Sequence, residues 1–397
     1  MSSNLTSFGS WESTNRSGSL TPGGTSRKVQ VLHVGKFYPP HMGGIETHLQ
    51  DLCEELRKSV DVQVIVASDD RSGVEETLDS VPVTRVPTWL TLASTPLCPA
   101  ITSRIRAYRG DILHLHFPNP MAVLAYLASG YRGPLVVTYH SDMVRQKILG
   151  PMFEPLLHAA LRRSAAIITT SPNYLQSSLV LARHRERCHV IPLGIPIESF
   201  DHCDPGAVAE IRQQYGDRLI VSVGRLVYYK GFEFLIRAMT GVQGKLLIVG
   251  EGPLRDKLGA LASELGVAER VVFLGKIDHD HLVACYHAAQ VFVMASIARS
   301  EAFGIAQIEA MAVGLPVVNT ALDSGVPFVS LHEQTGLTVP PADSVQLAAA
   351  INRLLDNPDL RSTFGRAARL RAQQEFAVDV MAARTLSLYD RVTTGGS

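Results

Sequence analysis

Two carboxylates, Glu301 and Glu309, stand eight residues apart in the segment Ser300-Glu301-Ala302-Phe303-Gly304-Ile305-Ala306-Gln307-Ile308-Glu309-Ala310-Met311-Ala312. Gly304 reads as the flexible entry to a helix on which Ile305, Ile308 and Ala312 form an apolar stripe at helical spacing. Glu309, four residues after Ile305, falls on the flank of that stripe, where a carboxylate needs hydrogen-bond donors or a positive partner. Glu301 lies in the loop just before the helix. The first N–H groups of the helix, around residues 303–306, have no intrahelical acceptor and favour an anion. The segment therefore offers a phosphate seat between two hydrogen-bond acceptors. That combination suits a sugar nucleotide, with one carboxylate for sugar hydroxyls and one for a ribose diol. The plainer reading of the same residues is a surface helix with two solvated glutamates.

Other residues with chemical potential sit where strands give way to helices. Val223-Gly224-Arg225-Leu226-Val227-Tyr228-Tyr229-Lys230-Gly231 brings Arg225 and Lys230 to such a junction. Arg grips phosphate oxygens bidentately and Lys acts as a point charge, so phosphate binding is favoured over two ordinary surface cations. Val249-Gly250-Glu251-Gly252-Pro253 is a second junction, but Arg255 stands at the third glycine of a dinucleotide fingerprint, and no P-loop pattern occurs. Asp278-His279-Asp280-His281 resembles a metal cluster, yet Asp278 is placed to cap the next helix, and the cap is the favoured reading. Asp323-Ser324-Gly325 is a small-residue loop able to present N–H groups to an anion. In the first half, Gly43-Gly44 allows close backbone approach to a ligand. His140, with Ser141 and Asp142 at a strand end, is that half's candidate for chemistry, while His114 and His116 are read as structural.

The elements that must position these residues alternate strand and helix twice over. Apolar strands begin near Val29, Val62, Ile112, Leu135 and Ala166, with helices expected over 45–58, 119–129 and 151–163. Two prolines and a glycine in 190–196, then a polar run, mark a linker. The alternation restarts at Leu219 and runs to the helices ending near Glu375. Strands that are apolar throughout imply parallel sheets covered on both faces. Residues 1–26, rich in Ser, Thr, Gly and Asn, read as a disordered tail and not as a secretory signal. Residues 27–196 and 197–376 then form two domains, and 377–397 a helix returning to the first. A formal net charge of zero argues against a nucleic-acid binder. Five scattered cysteines without a Cys-x-x-Cys suggest reduced thiols in a cytosolic protein and no zinc site.

Taken together, Tyr38-Pro39-Pro40 with Gly43-Gly44, Tyr139-His140-Ser141-Asp142, Gly224-Arg225-Leu226 with Lys230-Gly231, Gly250-Glu251-Gly252-Pro253 and Glu301-x7-Glu309 resemble the family 4 retaining glycosyltransferases of GT-B fold. The likeness spans residues 29–392 and is most like bacterial mannosyl- and rhamnosyltransferases of surface polysaccharide assembly. It implies an α/β protein of two Rossmann-like domains with parallel sheets facing across a cleft. The nucleotide-sugar donor would bind mainly to the second domain, and a glycan or lipid-linked glycan acceptor to the first. Arg225 and Lys230 would hold the diphosphate, Glu309 the ribose and Glu301 the sugar hydroxyls. Gly252, Lys276 and Ile277 would lie near the base. Gly44, with Phe303, Gly304 and Ile305 at the helix entry, would add N–H groups, and His140 would lie beside the transferring sugar. Many relatives have Pro-Glu where this chain has Tyr228-Tyr229. The resemblance further implies transfer with retention. Arg225, Lys230 and helix N-termini would supply the positive charge that Mg²⁺ otherwise provides, so no metal or other cofactor is expected. Cytosolic donors and lipid-linked acceptors would place a cytoplasmic protein at the inner membrane face, with Arg104, Arg106 and Arg109 as a weak basic contact, although a solvated helix face is the favoured reading of these arginines. A nucleotide-sugar 2-epimerase of similar fold and a non-catalytic sugar-nucleotide binder are the rival readings.

Overall fold

Continuous apolar runs become strands here because a strand covered on both faces has no side that can stay polar. The computed structural model describes residues 27–41, 43–92, 95–142 and 149–395. The tail expected over 1–26 lies outside them. The strands are β1 (Gln30–Val34), β2 (Asp61–Ala67), β3 (Val74–Leu78), β4 (Val81–Val86), β5 (Leu90–Leu92), β6 (Thr95–Leu97), β7 (Ile112–Phe117), β8 (Leu135–Tyr139), β9 (Ala166–Thr169) and β10 (Cys188–Val190) in the first half. In the second half they are β11 (Leu219–Val223), β12 (Lys245–Val249), β13 (Val271–Gly275), β14 (Val291–Val293), β15 (Val317–Thr320) and β16 (Gly336–Val339). Among the described residues they make an eight-stranded sheet, β10-β9-β8-β7-β1-β2-β4-β3, a six-stranded sheet, β13-β12-β11-β14-β15-β16, and a β5–β6 hairpin. The first sheet is parallel except where β3 runs antiparallel to β4, and the second is parallel throughout.

Strand order reverses once in each sheet, between β1 and β7 and between β11 and β14. At such a point the loops leaving the carboxyl ends of the two strands part to opposite sides and leave a crevice that ligands fill. The loop after β1 carries Gly43 and Gly44, and the β7 end carries His116. The loops after β11 and β14 carry Arg225, Lys230 and Glu301. Topology thus collects five of the sequence candidates, Gly43, Gly44, Arg225, Lys230 and Glu301, at two crevices.

Helices Ala100–Ala107, Pro120–Ser129 and Leu149–Arg163 cover one face of the first sheet, and helix Gly44–Leu56 the other. The last helix, Val378–Thr394, joins Gly44–Leu56 on that second face through Met381, Ala382, Leu388 and Tyr389. The chain therefore crosses between halves twice. The crossings bind each other, Ile195 N–H donating to Phe376 O and Val378 N–H to Ile195 O, both at 2.9 Å. The polar run expected as a linker contains a short 3-10 helix, Ile197–Phe200, whose two apolar ends are buried in the core of the second half.

Candidate active site

Lys230 and Glu301, 71 residues apart in sequence, meet because their strands are neighbours at the second switch point. Lys230 Nζ lies 2.6 Å from Glu301 Oε2, and the Ser296 hydroxyl donates to the same oxygen at 3.1 Å. Burial alone would lower the Lys230 pKa. The Glu301 carboxylate, with Tyr229 and Glu309 adding to it, outweighs burial and holds the ammonium above its ordinary value. Arg225 is exposed on the same loop, next to buried Leu226. Gly252 is required by close approach, since a side chain there would strike Leu226 O at 2.5 Å. The two strand-end loops lie backbone on backbone, joined by Leu226 N–H donating to Glu251 O at 2.8 Å.

Gly304 enters helix Ile305–Ala312 at φ 85° and ψ 60°, a left-handed conformation that glycine adopts without steric cost. It caps the helix without a side chain, so the first N–H groups of Ile305–Ala312 are left for another acceptor. Phe303 itself is buried against Phe376, so only its backbone is available to a ligand. Glu309 is half-buried and accepts from the Tyr286 hydroxyl at 2.7 Å. Burial raises its pKa, against the Tyr286 hydrogen bond and the charges of His279 and Lys230. Lys276 is exposed and Ile277 half-buried directly after β13.

Facing this wall is the first half. Helix Gly44–Leu56 also starts without a side-chain cap, and a methyl group on Gly44 would come within 3.4 Å of Ile305 Cδ1. Two uncapped helix N-termini therefore converge across the cleft. His140 follows β8, is 4% exposed, and is kept neutral by burial and by His48, which push its pKa well below the ordinary value. Asp142 is fully engaged. Its Oδ1 accepts from the Tyr139 hydroxyl at 2.8 Å and the Ser178 hydroxyl at 2.9 Å, and its Oδ2 meets Arg299 from the second half at 3.2 Å.

The comparisons with known proteins can be set against this geometry. Residues 42–199 match the family described as Glycosyltransferase Family 4, and residues 208–371 that described as Glycosyl transferases group 1. The chain is 34% identical to D-rhamnosyltransferase WbpZ of Pseudomonas aeruginosa over 352 residues, covering 88% of this chain and 92% of that protein. The chain is a family 4 glycosyltransferase. It is also 31% identical to O-antigen chain mannosyltransferase C of Escherichia coli, covering 91% of this chain and 98% of that one. Sucrose-phosphate synthase from Thermosynechococcus elongatus superposes with a TM-score of 0.79 at 26% identity, over 93% of this chain and 100% of the other. The glycosyltransferase has the GT-B fold, two Rossmann-like halves facing across a cleft.

Three dimensions change one sequence expectation about the glycosyltransferase and bear out another. The loop Asp323-Ser324-Gly325 does not offer all its N–H groups to an anion, because Gly325 N–H is taken by Ala302 O at 2.7 Å. Instead it braces the Glu301 loop. Asp278 is a cap, its carboxylate accepting from His281 N–H at 2.8 Å. Arg104 is paired with Glu75 at 2.7 Å, while Arg106 and Arg109 donate to main-chain carbonyls. No helix among the described residues is long and apolar enough to cross a membrane. Sequence reasoning missed that His33, His48, His114, His116 and His140 pack together, buried, behind the cleft. The signal was there in His114 and His116, which two-residue spacing puts on one face of one strand.

Proposed function

We propose that this glycosyltransferase moves mannose or rhamnose from a nucleotide-diphosphate sugar to a glycan or lipid-linked glycan, with retention and without a metal ion. The sugars and the polysaccharide setting are suggested by the names of its two bacterial relatives. The observation that carries the reading is the Lys230–Glu301 pair at the switch point, a fixed cation beside a fixed acceptor. Lys230 and Arg225 take the diphosphate, assisted by the helix entries at Gly44 and at Phe303, Gly304 and Ile305. Glu301 takes sugar hydroxyls, Glu309 the ribose diol, and Gly252, Lys276 and Ile277 the base. His140 stands beside the sugar. This positive charge supplies the electrostatic stabilisation of the leaving group that a metal would otherwise give.

What supports retention is which carboxylates are occupied. Glu301 Oε2 is held by Lys230 and Ser296, which suits it to binding and not to attack on the anomeric carbon. Asp142, saturated by Tyr139, Ser178 and Arg299, is a poor base for the acceptor. The step that remains breaks the anomeric carbon–phosphate oxygen bond while the acceptor oxygen bonds to the same face. The acceptor proton passes to the departing phosphate oxygen. NMR of the first-formed product tests this: an α-linked donor is expected to give an α-linked product, and a β-linked product would overturn the mechanism. Turnover is expected to survive chelator. A peripheral membrane contact through Arg104, Arg106 and Arg109 completes the proposal.

A further inference from the structure

On the sheet face that carries the last helix, the three central strands change character along their length. Val31, Ile112 and Val136 lie in apolar core at their starts. Two-residue steps along the same face then bring His33, His114 with His116, and Thr138 with His140. All five, with Tyr389 from the last helix, are buried.

These groups form one unbranched row. Thr138 Oγ1 lies 2.7 Å from His114 Nε2, and His114 Nδ1 2.6 Å from Tyr389 Oη. Tyr389 Oη lies 3.4 Å from His33 Nε2, His33 Nδ1 3.0 Å from His116 Nε2, and His116 Nδ1 3.3 Å from His140 Nε2. Each ring nitrogen is used once except His140 Nδ1, which has no partner among the described residues. Burial, reinforced by neighbouring rings, pushes the pKa of every imidazole down, that of His33 to about 3, and burial pushes the Tyr389 hydroxyl up. The row is therefore neutral. A neutral imidazole has one N–H and one lone pair, so every bond in the row must point the same way. Among the described residues the Thr138 hydroxyl has His114 as its side-chain partner. Either direction leaves one buried donor without an acceptor, the Thr138 hydroxyl or the His140 Nδ1–H, so the row has two arrangements and its members reverse together.

We infer that this row couples the tautomer of His140 to groups on the far side of the sheet. In one arrangement Thr138 donates to His114, His114 to Tyr389, Tyr389 to His33, His33 to His116 and His116 to His140, and all four rings carry their proton on Nδ1. In the other every bond reverses and all four carry it on Nε2. Resting on the placement of His140 beside the sugar, the row lets that ring change its tautomer only when all its members reverse. Thr138 and Tyr389 are positioning residues.

Long-range ¹H–¹⁵N correlation spectra of the histidine-labelled full chain test this, since they separate Nδ1–H from Nε2–H. The expected result is one tautomer shared by His33, His114, His116 and His140. In Tyr389→Phe the row is cut, and the tautomer of His114 should no longer match that of His33, His116 and His140. The loss of one hydrogen bond's worth of positioning should lower kcat about three- to tenfold with little change in donor KM. Thr138→Val, nearly isosteric on a strand, should shift the tautomers of His114 and His140 too, and it reads the row if Tyr389→Phe folds poorly. Different tautomers among the four rings in the unaltered protein, or an unchanged set in both variants, overturns the inference. So does stoichiometric metal in the purified protein, since ring nitrogens of His48, His116 and His140 lie close enough to share an ion. A tautomer that moves while kcat does not would uphold the row and sink the placement of His140 beside the sugar.

Discussion

The two walls of the cleft are built from opposite chemistry. The wall from the second half is ionic: Lys230 against Glu301, Arg225 exposed beside them, and Glu309 half-buried under Tyr286. Behind the wall from the first half lies a row of imidazoles that burial keeps uncharged, and Asp142, which follows it, is fully hydrogen-bonded. The charges of Lys230 and Arg225 thus stand on the second wall, where the proposed function puts the leaving diphosphate. The imidazoles on the facing side are too weakly basic to compete for a proton. A catalyst that relied on a protein base would show the reverse, with an unengaged carboxylate or a titrating histidine on the first-half wall.

The sharpest way to break the comparison is to remove the charge. Lys230→Ala should lower kcat about a hundred- to thousandfold, as loss of a transition-state donor does, because it also leaves Glu301 buried without its cation. Arg225→Ala should raise the donor dissociation constant about ten- to hundredfold, the loss of a charge-assisted hydrogen bond, measured by calorimetry. If both variants bind donor and turn over normally, the ionic wall has been placed wrongly.

Acidification acts on the other wall. His33 and His48 stay neutral in the folded protein down to about 3 and about 4, against an ordinary value of 6.5. Between those values the unfolded chain binds more protons than the folded one. Stability is therefore full above pH 6.5 and is lost as the pH falls through this window, at about 1.4 kcal/mol per pH unit for each ring kept neutral. Glu309 works in the opposite sense, since its raised pKa means that acid relieves a buried charge. The melting temperature should drop steeply between pH 6.5 and 4, and His48→Phe should make the decline shallower. A flat profile would mean that the rings are already protonated or solvated.

The smallest expected effect lies outside the cleft. Arg104, Arg106 and Arg109 should give only a slight preference for anionic over neutral vesicles, since Glu75 and main-chain carbonyls already engage them. Equal flotation with both would remove the membrane contact from the proposal and leave the two walls as the whole of the binding surface.

What the sequence makes legible is what is local. The alternation of apolar strands with helices, the helix after Gly304 and the cap at Asp278 each rest on residues within a turn or two of one another. Strand β3 escaped notice because it is an edge strand, Val-Glu-Glu-Thr-Leu, mostly exposed and so without an apolar run. Strands β10 and β16 are three and four residues long, too short to show a period. Asp142 is satisfied by Ser178 and Arg299, which no spacing rule connects to it. The histidine row needs the register of three strands, in which His33 lies beside His114 and His116 beside Thr138, and register is settled by tertiary packing. Motif spacing finds groups that share a loop, whereas groups sharing a sheet face become visible only after folding.

The paired crossings at Ile195 and Ala377 bear on how such enzymes can be recombined. A chimaera meant to graft a new donor specificity is naturally spliced once, near residue 196, keeping everything downstream from the second parent. Here that join would also import a foreign version of the 17-residue helix Val378–Thr394, and with it whatever stands at the place of Tyr389. The hybrid would keep an intact donor wall while its histidines lost their hydroxyl partner. Exchange of specificity between parents therefore calls for two seams, with the last helix inherited together with the first half.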